Sequence, residues 1–284
     1  MSTTSLGAAA RQAPPAAVPA ARRGLRDLPP WSGGIVGAVV VLAVWTVLAL
    51  TVFRASGIVP TPWAVVGRVV SDGPDVYWAN LSVTTWSALQ GYLWGNLAAF
   101  ALAVVVLLVP ASEGAATQVA VISYCVPMTA VGPIVLIVSE PGSRTTSVFL
   151  AALSVVFTSV VGCLLGLRAA DRTALDVVRA YGGTRWTQLV KVRSVAALPN
   201  VFAALKLAAP AAFLGAVLGE YFGGVDSGLG LLITAAQTQL RYSQLWALAI
   251  ASGLVAGAGY LLVGLVARLV TPWSSTGQRT GGVS

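Results

Sequence analysis

The stretch WSGGIVGAVVVLAVWTVLALTVF, from Trp31 to Phe53, is 23 residues long and carries no charged side chain. An α-helix rises about 1.5 Å per residue, so this length crosses a hydrocarbon core about 30 Å thick. It also exceeds the apolar region of a secretory signal, which spans about 7–15 residues. We therefore interpret residues 31–58 as a retained first transmembrane helix.

The composition of the whole chain agrees with a lipid environment. Of the 284 residues, 57% are hydrophobic and 9% are charged, whereas a soluble domain carries about 25% charged residues. The net charge of +8 comes from basic residues that lie between apolar runs, which suits membrane orientation and disfavours nucleic-acid binding. The sequence has no histidine, and Cys125 and Cys163 lie inside apolar runs. We expect no catalytic residues and no metal site.

Five further apolar segments bring the predicted number of spans to six. Residues 77–112 are uncharged, and we place one span at about 89–109, ended by Pro110, with the Trp- and hydroxyl-rich part before it at the membrane interface. The other spans are predicted at 115–139, 145–167, 200–222 and 244–267. Residues 1–30 and 274–284 are predicted to be cytoplasmic tails, the first of them flexible.

The distribution of basic residues predicts cytoplasmic termini. With the amino terminus inside, the inside segments hold four basic residues in the first tail, six in the 168–199 loop and two near the carboxyl end, against four outside. The positive-inside rule favours this orientation. Glycine pairs spaced by four residues predict close helix packing, within the subunit or between two subunits: Gly33/Gly37, Gly91/Gly95, Gly162/Gly166, Gly215/Gly219 and Gly253/Gly257.

The longest inside connection, DRTALDVVRAYGGTRWTQLVKVRSVAALPN (171–200), reads as two short amphipathic helices joined at Gly182–Gly183. Such a surface fits a segment that lies along the membrane and docks into a groove of another protein. The alternative is a basic interfacial loop with no partner. The candidate docking residues are Asp176, Val178, Arg179, Tyr181, Gly182, Gly183, Arg185, Trp186, Leu189 and Pro199.

This loop resembles the EAA loop of ABC-transporter permeases, in which Glu-Ala-Ala is followed by three residues, a glycine and a proline-containing segment. Here the matching residues are Asp176-Val177-Val178, Gly182 and Pro199. Three other segments, in the family's order, resemble the nitrate/sulfonate/taurine permease branch: VPTP (59–62), VPMTAVGPI (126–134) and GEYFGGVDSGLGLLITAAQ (219–237). The departures are Asp176 for glutamate, valines for both alanines, Val195 for a usual proline, and Glu140 for glycine.

The resemblance implies an all-α polytopic membrane protein with about six transmembrane helices in the bundle of a type I ABC importer. Its permease core would cover 59–273, and loop 171–200 would couple it to an ATPase. The implied partners are two ATP-binding subunits, a second permease (the same chain or a similar paralogue) and an external substrate-binding protein. The implied location is the cell's inner membrane. The chain has no Gly-x-x-x-x-Gly-Lys-Ser/Thr phosphate loop, so we expect ATP and Mg²⁺ on the partner and no cofactor here.

The residues predicted for the translocation path are helix-breaking or intramembrane polar residues. Prolines free backbone carbonyls that are tolerated where they face protein or water, although simple bending for packing explains them equally. Glu220 is either functional or an interfacial residue paired with Arg241. The glycines after it allow a gate or a plain connector. The candidates are Pro127, Gly132, Pro133, Pro210, Glu220, Gly228, Gly230 and Gln237.

The leading hypothesis is a permease subunit of an ATP-driven importer that moves a small polar solute, delivered by an external binding protein, into the cytoplasm. An ion-coupled secondary transporter would need paired charges or interrupted helices near mid-membrane, and only the prolines qualify. A membrane enzyme lacks a clustered nucleophile and base. A non-transporting assembly subunit is the remaining alternative. The resemblance implies small anions or small heterocycles as substrates.

Overall fold

The computed structural model describes residues 30–275, and within this range the secondary structure consists of helices joined by short turns, without a strand. The predicted tails 1–30 and 274–284 therefore lie almost wholly outside the described residues. The α-helices are α1 Pro30–Leu50, α2 Pro62–Asp72, α3 Pro74–Leu108, α4 Glu113–Cys125, α5 Met128–Val138, α6 Thr145–Arg168, α7 Arg172–Ala180, α8 Arg185–Gln188, α9 Ser194–Tyr221, α10 Leu229–Thr238 and α11 Tyr242–Val270. Short 3₁₀ turns cover Pro110–Ser112 and Pro272–Ser275, and a π turn covers Leu189–Arg193.

Five helical stretches in the described region are long and apolar enough to cross a membrane, and a bent pair makes a sixth. The five are α1, α3, α6, the continuous helix Trp186–Tyr221 and α11, and the sixth is the pair α4–α5. The prediction of an all-helical chain with about six spans is confirmed.

The third span, predicted over 115–139 with prolines that bend it, consists of two helices. The helix axis turns by 90° between α4 and α5. Val126 and Pro127 both have extended backbone, with ψ of 120° and 112°. A residue before proline is pushed out of the helical region, and proline itself donates no backbone hydrogen bond. Pro127 therefore breaks this span in two.

Helix α3 is longer than the span predicted at 89–109. It begins at Pro74, after Gly73 with φ of +83°, and runs for 35 residues to Leu108. A proline in the first turn costs no hydrogen bond because that N–H has no intrahelical partner. No proline follows before Pro110. The hydroxyl-bearing residues before position 89 are part of this helix, and Thr84 and Ser87 are fully buried.

Helix α6 lies at the centre of the bundle, between α3 and α9. Three of the five glycine pairs make these contacts. A side chain at Gly95 would come within 2.6 Å of the Ala152 carbonyl oxygen, and one at Gly215 within 2.6 Å of the Leu150 oxygen. Gly162 and Gly166 bring α6 equally close to α9. These pairs pack within the subunit, whereas Gly33/Gly37 and Gly253/Gly257 have nothing within 4 Å.

Helices α1 and α11 lie at one side of the bundle, with α11 packed on α9 and α2. The Trp45 ring of α1 stacks on Trp246 with centroids 5.4 Å apart, and its Nε1 donates to the Pro60 carbonyl at 3.0 Å. Elsewhere α1 exposes apolar side chains on all faces, as a helix surrounded by lipid does.

Candidate functional site

The chain turns between helices α6 and α9 form one end of the bundle, which we call the loop end, and the turns α5–α6 and α9–α10 form the opposite, far end. Helix α7 at the loop end is held by a cap at each terminus. The Asp171 carboxylate accepts from the Thr173 N–H at 3.2 Å, which satisfies one of the free donors at the helix start. Leu175 is the one buried residue of α7.

The carboxyl end of α7 is a Schellman motif centred on Gly182. The Gly182 N–H donates to Arg179 O at 2.9 Å, and the Gly183 N–H donates to Val178 O at 2.8 Å. Gly182 has φ of +76°, a conformation that costs a residue with a Cβ about 1–2 kcal/mol. A Cβ at Gly183 would lie 2.7 Å from the Val178 oxygen. Each glycine of the pair is thus needed for a different reason.

The second half of the loop is not a separate helix. Helix α8 passes through the π turn Leu189–Arg193 directly into α9, and the Ser194 hydroxyl donates to Leu189 O at 2.9 Å. We predicted that Pro199 closes the loop ahead of the next span, and this is wrong because Pro199 lies inside α9. Neighbouring helices make such a proline tolerable in a membrane helix.

The loop exposes a ridge made of Val177, Tyr181 and Trp186, which we call the aromatic ridge. These side chains are 51%, 89% and 66% exposed. The sequence spacing of Leu175, Val178 and Tyr181 suits one helical face, but Tyr181 is the capping residue beyond the last turn of α7 and does not continue that face. Asp176 pairs with Arg179 at 3.4 Å on the exposed side. The side chain of Arg185 lies outside the described part of the chain.

A cavity of about 450 Å³ lies between the loop and the carboxyl end of α3. Its lining combines apolar residues of the α3 end with basic and aromatic residues of the loop: Leu107, Leu108, Pro110, Arg179, Trp186, Gln188, Leu189 and Arg193. Beside it, Arg168 at the end of α6 pairs with Glu113 at the start of α4. Charge and aromatic surface therefore meet at the loop end.

The far end contains a buried polar centre built around Glu220. This side chain is fully buried. Its Oε2 accepts from the Thr84 hydroxyl at 2.8 Å and from the Gly230 N–H at 3.1 Å, while its Oε1 lies 3.5 Å from Arg144 Nη1. The Arg144 Nη2 donates to the carbonyl and hydroxyl oxygens of Ser227 at 3.1 and 2.9 Å. We call these five residues the Glu220 centre.

The Glu220 centre fixes the start of helix α10. Gly228 is the residue before α10, with φ of +140°, and its N–H donates to Asn80 Oδ1 at 2.8 Å. The Leu229 N–H donates to the Thr84 hydroxyl at 2.9 Å. Three consecutive N–H groups at a helix start thus meet acceptors, one of them a carboxylate, which the helix dipole favours.

The glycines around α10 are spaced to fit the Glu220 side chain. A Cβ at Gly228 would lie 2.5 Å from Glu220 Oε2, and one at Gly230 would lie 2.6 Å from the Glu220 Cβ. The segment Gly228–Leu229–Gly230 therefore wraps the carboxylate closely. The suggested pairing of Glu220 with Arg241 is wrong, since Arg144 holds this position and Arg241 is exposed.

Comparison with known proteins shows the family of this chain. A family model described as "Binding-protein-dependent transport system inner membrane component" matches residues 91–276. The chain belongs to this family. The match includes α6, the loop end and, except for Thr84 of α3, the Glu220 centre.

Curated relatives cover most of the permease. The riboflavin transport system permease protein of Chloroflexus aurantiacus is 27% identical over 81% of this chain and 89% of its own length. A probable ABC transporter permease protein of Haemophilus influenzae is 27% identical over 73% of this chain and 84% of its own. A putative aliphatic sulfonates transport permease protein of Bacillus subtilis is 25% identical over 87% and 89%. The permease therefore resembles ABC permeases, including the sulfonate branch, over nearly their full length.

The structure brings only some of the predicted path residues together. Glu220, Gly228 and Gly230 share one centre, and the exposed Gln237 accepts from the Tyr221 hydroxyl at 3.1 Å beside it. Gly132 is buried, and a Cβ there would overlap the ring of Phe222. Pro127 marks the bend, Pro133 lies within α5, and Pro210 lies within α9 ten residues before Glu220. Whether these residues line a path stays a prediction.

Sequence reasoning missed Asn80, Thr84 and Arg144 of the permease. All three contact a segment at least 76 residues away along the chain. A usable signal was nevertheless present: Thr84 and Asn80 are spaced by one helical turn, so their side chains share one face of α3.

Substituting Gly230 by alanine should loosen the start of α10. The new methyl group would meet Glu220 Cβ and the Tyr221 nitrogen, each at 2.6 Å, and we expect a loss of about 1–3 kcal/mol because overpacked sites relax poorly. The measurement is thermal unfolding of the purified permease. The matched control is Gly253→Ala, since Gly253 is helical with nothing within 4 Å, and it should be neutral or slightly stabilising. Equal melting temperatures for the two variants would contradict the packing described.

Proposed function

We propose that the permease is driven by ATP hydrolysis on a separate subunit that docks at the loop end, and that the solute crosses beside the bent pair α4–α5. The observation that carries the docking site is the aromatic ridge on a glycine-capped helix. Tyr181 and Trp186 are exposed to 89% and 66%. Large exposed aromatic side chains next to arginine are typical of residues that anchor protein interfaces.

The docking partner is an ATP-binding subunit that brings both ATP and Mg²⁺. The two lysines of this chain lie in Leu-Val-Lys-Val and Leu-Lys-Leu, outside any phosphate loop, so phosphate binding must come from elsewhere. The basic residues Arg179 and Arg193 line the cavity beside the ridge. These two arginines would complement acidic groups in a cleft of the partner, and the aromatic ridge would complement an apolar surface within the same cleft.

The proposed assembly contains two copies of this chain, or one copy and a similar permease, with two ATP-binding subunits. The surface that would receive the second permease is the outer side of α4 and α5. Ile134, Ile137 and Val138 are 62%, 84% and 80% exposed there, and the bend at Pro127 interrupts the helix beside them. An interrupted helix offers free backbone groups to a polar solute.

The loop end is proposed to face the cytoplasm. Loop 171–193 and Arg168 contribute six of the basic residues on that side, in agreement with the positive-inside rule. The far end, with segments 54–78 and 221–241, would then receive the external binding protein. The relatives' names include riboflavin and aliphatic sulfonates, and we propose a small polar solute of similar size.

The ion pair between the buried Glu220 and the partly exposed Arg144 would also suit an ion-coupled transporter, which needs no ATP-binding subunit. Its contacts favour a fixed structural role, because Thr84 and the Gly230 N–H already occupy the carboxylate. Uptake by proteoliposomes tests the two functions. We expect solute accumulation only when the ATP-binding subunit, ATP and the binding protein are all present. Accumulation driven by a proton or sodium gradient alone would overturn the proposal.

Gly182→Ala should weaken coupling without unfolding the bundle. The left-handed backbone at Gly182, with φ of +76°, costs an alanine about 1–2 kcal/mol, which favours a frayed α7. We expect the ATP-binding subunit to bind roughly tenfold more weakly in a pull-down titration. Gly114→Ala makes the same chemical change at the same end, in a helical glycine with nothing within 4 Å. Full binding by both variants would count against the loop as the docking site.

A further inference from the structure

An apolar groove runs between α3, α9 and α11, on the side of the bundle away from α4 and α5. It encloses about 250 Å³. Nearly all of its lining is aliphatic or aromatic: Thr85, Ala88, Leu89, Tyr92, Ala209, Ala212, Phe213, Val255, Ala256, Gly259, Leu262 and Val263. Helices α4 and α5 pack on α6, whereas α11 packs on α9 and α2. The groove is therefore separate from the proposed solute path.

The end of this groove nearer the loop end carries Lys206, which has no carboxylate partner among the described residues. Lys206 lies one helical turn before Ala209 of the lining. Its Nζ is 4.2 Å from the centre of the Tyr260 ring. Within residues 30–275, the ion pairs leave Lys206 unmatched. A charge in a membrane helix is costly and ordinarily has a counter-charge.

The neighbouring helix leaves space for the lysine side chain. A Cβ at Gly264 would lie 3.2 Å from Lys206 Cε and 3.5 Å from its Nζ. The lysine side chain therefore passes over α11 at the position of Gly264, where no side chain blocks it. Tyr260 and Gly264 are one turn apart and share a face. The Tyr92 hydroxyl closes the groove floor by donating to the Leu205 carbonyl at 3.2 Å. Tyr260 and Gly264 therefore position the Lys206 ammonium at the end of the groove.

The depth of Lys206 suits a lipid headgroup at the loop-end surface. It precedes Tyr221, the far end of α9, by 15 residues, which is about 22 Å, and Tyr260 follows Tyr242 by 18 residues, about 27 Å. In a hydrocarbon core about 30 Å thick, both groups lie close to the loop-end boundary. A lysine there extends its ammonium toward the headgroups.

We propose that this groove binds one acyl chain of an anionic phospholipid, with the lipid phosphate held by Lys206. The charge of the lysine complements a phosphodiester, and the aliphatic lining complements the chain, which would run from Tyr92 and Val263 toward Phe213 and Val255. A free solute anion would gain nothing from the apolar groove. The site is independent of ATP-driven transport and does not depend on the proposed docking surface.

Native mass spectrometry of the full-length permease tests this site. The probes are phosphatidylglycerol and phosphatidylcholine with identical acyl chains. We expect the parent protein to retain phosphatidylglycerol about fivefold better, since one lysine near a membrane surface contributes roughly that factor. Lys206→Gln should remove the preference and Lys206→Arg should keep it. Arg241→Gln, which removes an exposed charge at the far end, is the matched control.

Two further measurements separate the groove from the charge and lipid from free anion. Gly259→Leu fills the groove and should reduce retention of both lipids, because Gly259 lines it and a Cβ there meets Ala209 at 3.7 Å. Ethanesulfonate, a soluble anion, should leave the bound lipid in place. Displacement by ethanesulfonate, or an unchanged phosphatidylglycerol preference in Lys206→Gln, would overturn the proposal.

Discussion

Glu220→Ala is expected to destabilise the permease by about 2–4 kcal/mol, because a buried donor left without its acceptor costs about 1–3 kcal/mol and two buried donors lose theirs. The Arg144 guanidinium, whose side chain is 29% exposed, would lose its counter-charge. The Gly230 N–H and the Thr84 hydroxyl would lose their shared acceptor. Helix α10 would then be released at its start, so we expect early proteolysis within 223–228 as well.

The buried thiol of Cys163 provides the measurement. Cys163 is 4% exposed and Cys125 is exposed, so a Cys125→Ser background leaves one thiol that reacts with a maleimide dye only on unfolding. Glu220→Ala should lower the melting temperature strongly, and Glu220→Gln, which keeps an acceptor oxygen, should lower it less. Glu140→Ala removes an exposed carboxylate near the same end and should have little effect. If Glu220→Ala has the same melting temperature as the parent protein, the Glu220 centre does not stabilise the fold.

Removing both aromatic side chains of the ridge, Tyr181→Ala with Trp186→Ala, is expected to abolish measurable docking of the ATP-binding subunit. Interface anchors of this kind contribute about 2 kcal/mol or more each, so the pair should weaken binding by a factor of several hundred or more. Folding should be unaffected because both side chains are mostly exposed. Binding of the purified ATP-binding subunit to the permease in nanodiscs measures the effect.

The matched control for the ridge is the double variant Trp63→Ala and Trp78→Ala. These tryptophans are 59% and 74% exposed and lie at the far end of the bundle, in α2 and at the start of α3. Their removal should leave affinity for the ATP-binding subunit within about twofold, as expected for residues outside an interface. If only the control pair lost affinity for the ATP-binding subunit, the docking surface would lie at the far end, and the proposal would be wrong.

The sequence predicted the helical class and the spans because both follow from local properties. An uncharged run such as 145–167 must be a helix in lipid, where backbone groups need internal partners, and α6 covers 145–168. The end of α7 at Gly182–Gly183 could also be predicted, since a glycine pair after an amphipathic turn ends a helix. The role of Pro127 as a break could be anticipated, but the angle of 90° could not, because it depends on what α5 packs against.

The Glu220 centre lay beyond sequence reasoning for a physical reason. Arg144 and Arg241 are both basic residues predicted at the outer side, and which of them meets Glu220 depends on helix packing. Gly219 has no side chain, so α9 lies directly against the backbone of Thr146 and Ser147 at the start of α6. Arg144 immediately precedes α6, and this contact therefore brings Arg144 close to Glu220. Such a contact between segments 70 residues apart has no local pattern in the sequence.

The unbroken helix from Trp186 to Tyr221 joins the two ends of the molecule in one piece of backbone. Its 36 residues span about 54 Å, and a tilt of about 5° around one end moves the other by about 5 Å. Trp186 begins this rod and Glu220 lies next to its last residue. A displacement at the aromatic ridge is therefore passed along one continuous backbone to the carboxylate that fastens α10, and the places where this helix can bend are the π turn Leu189–Arg193 and the prolines Pro199 and Pro210.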